Sequence, residues 1–268
     1  MPAAPRLAVI GHVEWVTHTD APFIPAAGEI VHLKDPVEQP AGGGAVTAAA
    51  LARFGAEVSF YTAVGNDLPV AERLAALGMR VLAAARDRPH TRALVMRDPA
   101  HERTIAVVGE NLHPEIGDPL PWDELAGVDG VFFTGWDPAT LRAARAAPLL
   151  IVTARRFTPL VESGVRADVL LGSGRDPGER VDLDRLSEQP DRVVETFGRD
   201  GGTDYEAVEP PGPVVDSYGA GDTFAAGLLY GMATGLEWRE ALAYAARAAA
   251  EAVTWRGAYP PPDRQSDW

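Results

Sequence analysis

The chain has 268 residues with 46% hydrophobic content, enough for one large core, and no apolar run approaches the length of a membrane span. Its 24 basic and 38 acidic residues leave a formal charge of −14, which disfavours nucleic acid and anionic membranes as partners. Cysteine is absent, which excludes disulfides and thiolate metal sites; with no export signal after Met1-Pro2-Ala3-Ala4-Pro5-Arg6, the cytoplasm is the expected compartment.

In chain order, Arg6–Gly11 reads as a short apolar strand that breaks at glycine. Residues 12–41 read as irregular, with prolines at 22, 25, 36 and 40 and a strand at Glu29–Leu33. Gly42–Gly44 opens an alanine-rich helix through Phe54, stopped by Gly55. Val58–Val64 reads as a strand and Leu68–Leu77 as a helix. Thr91–Arg97 and Arg103–Val108 form a hairpin pattern around Asp98-Pro99-Ala100-His101. Gly130–Thr134, Leu149–Thr153 and Val169–Leu171 have the composition of buried strands, with Leu141–Ala146 in a helix between the first two. Arg192–Thr196 is a further strand, and helices follow at about Asp222–Thr234 and Glu237–Trp255.

This alternation predicts an α/β sandwich with a mostly parallel sheet covered on both faces. Segments 13–40 and 90–108 break the rhythm and are expected to form a small sheet, a lid on a single domain spanning 1–268. The Pro260–Pro262 run and the tail beyond it are expected at the surface.

Residues 214–227 read Val-Val-Asp-Ser-Tyr-Gly-Ala-Gly-Asp-Thr-Phe-Ala-Ala-Gly. Small residues before a helix start let a backbone approach a ligand closely, and free N–H groups there favour an anion such as phosphate. Asp222 beside such a nest would repel the ligand unless it has a task, and taking a proton from an attacking hydroxyl is one. The same turn would also serve as a plain helix start with an acidic first turn. A local nest of this kind overrides the global negative charge, so an anionic nucleotide remains compatible with the composition.

Lys34 is the only lysine and lies in Leu33-Lys34-Asp35-Pro36, away from any glycine loop. A Walker P-loop and the lysine–glutamate pair of protein kinases are thereby excluded. A second glycine-rich start stands at Gln39–Gly55, followed by Tyr61–Asp67 with Gly65-Asn66-Asp67. A third weak signal is Thr196-Phe197-Gly198-Arg199-Asp200-Gly201-Gly202, whose hydroxyl and flexible N–H groups suit nucleotide phosphates. The last is Ala245–Gly257, ending Val253-Thr254-Trp255-Arg256-Gly257-Ala258.

These four stretches, in this order, resemble the signatures of the ribokinase-like carbohydrate kinases, the PfkB family. The resemblance implies a ribokinase-like sandwich with a β-lid, and an ATP-dependent kinase acting with Mg2+ and a monovalent cation such as K+. By the same resemblance, Asp222 is the catalytic base, and Gly219, Ala220 and Gly221 form the anion hole. Thr196, Gly198, Gly201, Ala252 and Gly257 border ATP, while Glu14, Gly42, Gly43, Gly44 and Asp222 face the acceptor. Asp176 orients water on magnesium, and Asp216 belongs to a monovalent-cation loop. Pairing of two copies through the lid is a further implication.

The pattern is broken at the substrate end. In Gly11-His12-Val13-Glu14-Trp15-Val16, valine stands where the family has Asp, Val46 where it has Asn, and Ser173-Gly174-Arg175-Asp176 where it has Asn-x-x-Glu. The only asparagines are Asn66 and Asn111. Loss of buried polar partners changes which hydroxyls are selected, and Trp15 would suit a ring face or the core equally. The six histidines, at 12, 18, 32, 90, 101 and 113, show no metal spacing. A sugar or sugar-like polyol is the leading acceptor; a nucleoside, or a non-catalytic nucleotide- or sugar-binding homologue, is the alternative.

Overall fold

Runs such as Leu7–Ile10 have no polar face to give to water, and all four of these residues are fully buried. A strand of that kind needs cover on both sides, which a parallel sheet with crossover helices supplies. The computed structural model describes residues 3–100 and 102–261, so His101 and the tail from Pro262 lie outside the described residues.

The chain runs β1 (Arg6–Gly11), β2 (Glu14–Asp20), β3 (Lys34–Ala41), α1 (Gly43–Arg53), β4 (Glu57–Val64), α2 (Val70–Ala75), β5 (Arg80–Ala85), β6 (Arg92–Arg97) and β7 (Arg103–Val108). It continues with β8 (Gly130–Thr134), α3 (Pro138–Ala144), β9 (Leu150–Thr153), α4 (Phe157–Ser163), β10 (Val169–Ser173), β11 (Arg192–Thr196), α5 (Ala220–Ala233) and α6 (Trp238–Ala252). Seven parallel strands form the main sheet in the order β11-β10-β9-β8-β1-β4-β5.

Because side chains alternate along a strand, neighbours in one strand serve opposite cores. Leu7, Val9 and Phe132 pack with α1, α5 and α6 on one face. Ala8, Ile10, Val131 and Phe133 pack with α3 and α4 on the other. The expected three-layer α/β arrangement is therefore the observed one. No described helix is long and apolar enough to cross a membrane.

The remaining strands form a four-stranded sheet in the order β3-β2-β6-β7. Strands β2 and β6 are parallel, and the outer pairs are antiparallel. Two expectations for this region are corrected. Residues 14–20 are a strand and not irregular; Thr17, His18 and Thr19 hide the alternation, although His18 and Thr19 are only 2% and 3% exposed. The neighbouring strand lies at Lys34–Ala41 instead of Glu29–Leu33. Pro36 and Pro40 lack ladder N–H groups, and an edge strand with one partner tolerates that loss. In the main sheet, the edge strand β5 was missed because its alanines carry no strand signature.

Candidate active site

Strands β1 and β8 end side by side, with Gly11 paired to Thr134. From there the chain order departs in opposite directions, β1 toward β4 and β8 toward β9. A crevice at such a switch point, outside the carboxyl ends of parallel strands, is where open α/β sheets bind ligands. His12 and Glu14 follow β1, Trp136 follows β8, Arg155 and Arg156 follow β9, and Asp176 and Glu179 follow β10.

Two glycine-led helix starts meet over this crevice. Gly42 has φ 91°, open to glycine with little strain, and its N–H donates to the Tyr218 hydroxyl at 3.2 Å. A Cβ added at Gly43 would stand 3.1 Å from Asp222 Oδ1 and 3.8 Å from Thr134 Oγ1, so the bare backbone of α1 lies against the carboxylate. The Thr47 hydroxyl donates to the Asp222 carbonyl at 3.2 Å and ties the two helices together. At the start of α5, Gly219 has φ 78° and passes within 3.0 Å of Val46 Cγ1, measured from where its Cβ would be. Ala220 N–H donates to Ser217 O at 3.4 Å, while the amides of Gly221 and Asp222 have no acceptor among the described residues. Apart from its chain neighbours and its own helix backbone, nothing among the described residues lies within 4 Å of a Cβ built on Gly221. Two free amides beside open space, at a helix N-terminus, can hold an anion.

Burial pushes the Asp222 carboxyl up to about 6; Arg103 opposes the rise, and Glu179 and Glu14 add to it. Arg103 stands at the start of β7 and its Nη1 donates to Ser217 Oγ at 2.6 Å, so the small sheet brings a cation to the anion nest. Burial and the neighbouring Asp222 raise Tyr218, which keeps its phenol protonated. Glu14 is 8% exposed and raised by burial, with Arg156 acting against the rise.

Glu14, Gly42, Gly43 and Gly219 through Asp222 are thus drawn to one crevice, while Gly44 is buried against the His12 carbonyl and the Phe60 ring. Thr196 ends β11 beside Ser173, and the turn after it closes through Phe197 N–H to Gly201 O at 2.7 Å, around Gly198. That loop reaches the same helix through Tyr205, whose ring lies 5.0 Å from Phe224. Ala252 is buried at 1% exposure in the end of α6 and has almost no surface to give a ligand. Asp216 spans the two loops: Oδ1 accepts from Tyr218 N–H at 2.9 Å and Oδ2 from Gly257 N–H at 3.0 Å.

Asp176 is already engaged, accepting from Gly178 N–H at 2.8 Å and pairing with Arg155. Glu179 shares that arginine at 3.1 Å, accepts from Ser173 N–H at 2.6 Å, and its charge is felt at Asp222. Among the described residues there is no cluster of three or more His, Cys, Asp or Glu that could hold a metal by itself.

Trp15 is a core residue, 7% exposed, with its indole N–H donating to Glu38 at 3.3 Å. The tryptophan that borders the crevice is Trp136, which is 51% exposed and went unread in the sequence. Val16 and Val46 belong to one buried cluster with Tyr218 and Ala258, so apolar packing occupies the positions where polar partners were expected. Arg156, Glu179 and Arg103 were also missed. Arg156 and Glu179 had a usable signal, since both follow closely on strand ends in a sheet whose sites lie at those ends.

Burial lowers His18 and His113 to about 4 from an ordinary 6.5. Their folded forms bind fewer protons than the unfolded chain between those limits, so stability present above pH 6.5 is lost as pH falls toward 4. Asp222, raised instead, works the other way below about 6. Thermal melts from pH 7 to 4 should show a net decline that becomes shallower in His18→Leu; an unchanged slope would remove His18 as a cause.

A model of the pfkB family of carbohydrate kinases matches residues 4–152 and 186–264. A ribokinase from Arabidopsis thaliana is 26% identical over 308 residues, covering 98% of this chain and 80% of that protein. The structure of Arabidopsis thaliana ribokinase complexed with ribose and ATP superposes with a TM-score of 0.71 at 21% identity, covering 95% of this chain and 94% of that one. A microbiome-derived acarbose kinase superposes with a TM-score of 0.78 at 19% identity, covering 97% and 96%.

Proposed function

The chain belongs to the pfkB family of carbohydrate kinases, and from that premise we propose that it transfers the γ-phosphoryl group of ATP to a hydroxyl of a sugar or sugar-like small molecule. The observation that carries the proposal is the Asp222 carboxylate in the first turn of α5, held against the bare backbone of Gly43 at the start of α1, with its pKa raised to about 6. The acceptor hydroxyl gives its proton to Asp222 as its oxygen bonds to the γ-phosphorus. The bond from that phosphorus to the β-phosphate oxygen breaks, and ADP leaves. The Gly221 and Asp222 amides, with Gly219 and Ala220 shaping the turn, face the charge that builds on the transferred group.

The loop of Thr196, Gly198 and Gly201 is assigned to the nucleotide phosphates, and Gly257 to the neighbouring turn. A magnesium ion accompanying the triphosphate would be held through water by Glu179, with Asp176 behind it. Arg155 contacts both carboxylates and aims them. Such an ion would supply neutralisation of phosphate charge. Asp216 is assigned to bracing its loop, which limits a monovalent-cation role to the carbonyls around it.

The small sheet is assigned as a lid: Arg97 Nη1 donates to Val215 O at 2.6 Å and Tyr259 OH to Pro40 O at 2.6 Å, so its strands rest on the catalytic loops. Its edge strands leave Val37, Ile105 and Val107 exposed, in register with the buried His18, Val95 and Ala93, which supports pairing of two copies through it. Sedimentation as a monomer at micromolar concentration would count against that pairing.

The test is a screen of sugars, polyols, sugar acids and nucleosides with ATP and Mg2+, reading ADP and the mass of the product. A phosphorylated acceptor is expected, and ATP binding without turnover on any of them would favour a non-catalytic binder. For any accepted substrate, kcat/KM should fall roughly tenfold per pH unit below about 6 and level off above it. A flat profile from pH 5 to 7 would remove the general-base assignment.

A further inference from the structure

Arg156 is a buried charged group at the crevice that no carboxylate among the described residues contacts. It is 7% exposed, and Nε donates to Thr134 O at 2.9 Å. Its Nη2 contacts His12 Nδ1 at 3.3 Å, and its Cζ lies 5.3 Å from the centre of the Trp136 ring. Burial drives His12 well below its ordinary value, so that neighbour is neutral. Among the described residues no carboxylate lies within 4 Å of the guanidinium; Glu14 and Glu179 act on it only from farther away. A guanidinium has five N–H donors in a planar fork, and Nη1 of this one has no partner among the described residues. Buried charges are ordinarily paired because an unpaired one is costly, and an aromatic face offsets only part of that cost.

The position of this charge is informative. Thr134, whose carbonyl receives Nε, also presents its hydroxyl to Gly43, against which Asp222 lies. The guanidinium therefore stands on the acceptor side of the proposed base. The far side of Trp136 lines, with His113, a separate cavity of about 470 Å3 to which neither Arg156 nor Asp222 contributes a wall.

We propose that the acceptor is a sugar acid: a polyhydroxy carboxylate whose carboxylate supplies the counter-ion that Arg156 lacks, while a hydroxyl at its other end reaches Asp222. A carboxylate matches a guanidinium fork in geometry and in charge. A phosphate dianion would leave extra negative charge beside Glu14 and Asp222. This inference rests on the kinase reading above and specifies its substrate class.

The experiment sets hexuronates and aldonates against the matching hexoses and alditols, with a hexose phosphate as a third arm. Rates and thermal shifts are read for the wild type, Arg156→Met and Arg156→Lys. In the wild type the acids should exceed their neutral partners in kcat/KM by roughly 10²-fold or more. That ratio should collapse by about 30-fold in Arg156→Met and recover partly in Arg156→Lys. Millimolar sugar acid should raise the melting temperature of the wild type and not of Arg156→Met.

Neutral partners that match or exceed the acids would overturn the proposal, as would an Arg156→Met change that lowers both classes equally. A hexose phosphate that outcompetes the acids overturns the choice of carboxylate. If no acceptor of any class is phosphorylated but the acid-dependent thermal shift is present and needs Arg156, the kinase reading fails and the carboxylate site stands. If neutral sugars turn over and no acid shifts the melt, the site fails and the kinase reading stands.

Discussion

Asp222→Asn is expected to lower kcat by roughly 10²–10⁴-fold, the usual scale for a lost general base, while ATP still binds. Asparagine keeps the size of the side chain, so the close approach of Gly43 and the Thr47 bond to the backbone of residue 222 both survive. The amide cannot take a proton from the acceptor hydroxyl. It also removes a carboxylate whose ionised form burial disfavours, so the variant should melt no lower than the wild type. ADP release in a coupled assay and ATP titration calorimetry separate the two effects. Turnover within about threefold of wild type would sink the base assignment, since even modest general-base catalysis exceeds that factor.

Gly65→Ala should destabilise the fold by about 3 kcal/mol, the upper end for an overpacked site, and lower Tm by roughly 5–10 °C. A Cβ at this position would stand 2.3 Å from His90 N and 2.6 Å from Arg88 O. These are backbone atoms of the segment that leads into the small sheet, so no side chain can swing aside. The same turn is held by Gly65 N–H donating to His90 Nδ1 at 3.1 Å and by His90 N–H donating to Asp67 Oδ1 at 2.7 Å. Asp67 also pairs with Arg92 at the first residue of β6. The added methyl would pry apart the junction that sets the small sheet over the crevice, and the KM for the acceptor should rise with the loss of stability. Calorimetric melts and acceptor titration test this. An unshifted melting temperature would show that the junction yields, and would end its assignment as a rigid support of the small sheet.

Much of the frame was legible because its signals are local. The apolar stretches of β1, β4, β8 and β9 announce buried strands, and the Gly219–Asp222 turn announces a helix start with an acid in its first turn. The small sheet was harder to read. Strand β2 buries His18 and Thr19, and β3 carries two prolines, so neither displays the alternation by which a strand is recognised. Trp15 and Trp136 show the limit for single residues. Each follows a strand end by a few positions, yet one lies in the core and the other against solvent.

The amino-acid sequence by itself determined the α/β alternation, the absence of a lysine-based phosphate loop and the glycine-led turn that carries Asp222. These follow from residue types at short spacing, where chain connectivity alone dictates who is near whom. Only the tertiary structure decided that Gly43 and Asp222 touch across 179 positions of chain, that Val16 and Val46 share a cluster under Tyr218, and that Arg156 is buried beside Trp136 without a carboxylate. The reason is that burial and long-range electrostatics depend on which strand lies beside which. In this sheet that order places the ends of β1, β8, β9 and β10 on one rim although they lie far apart in sequence.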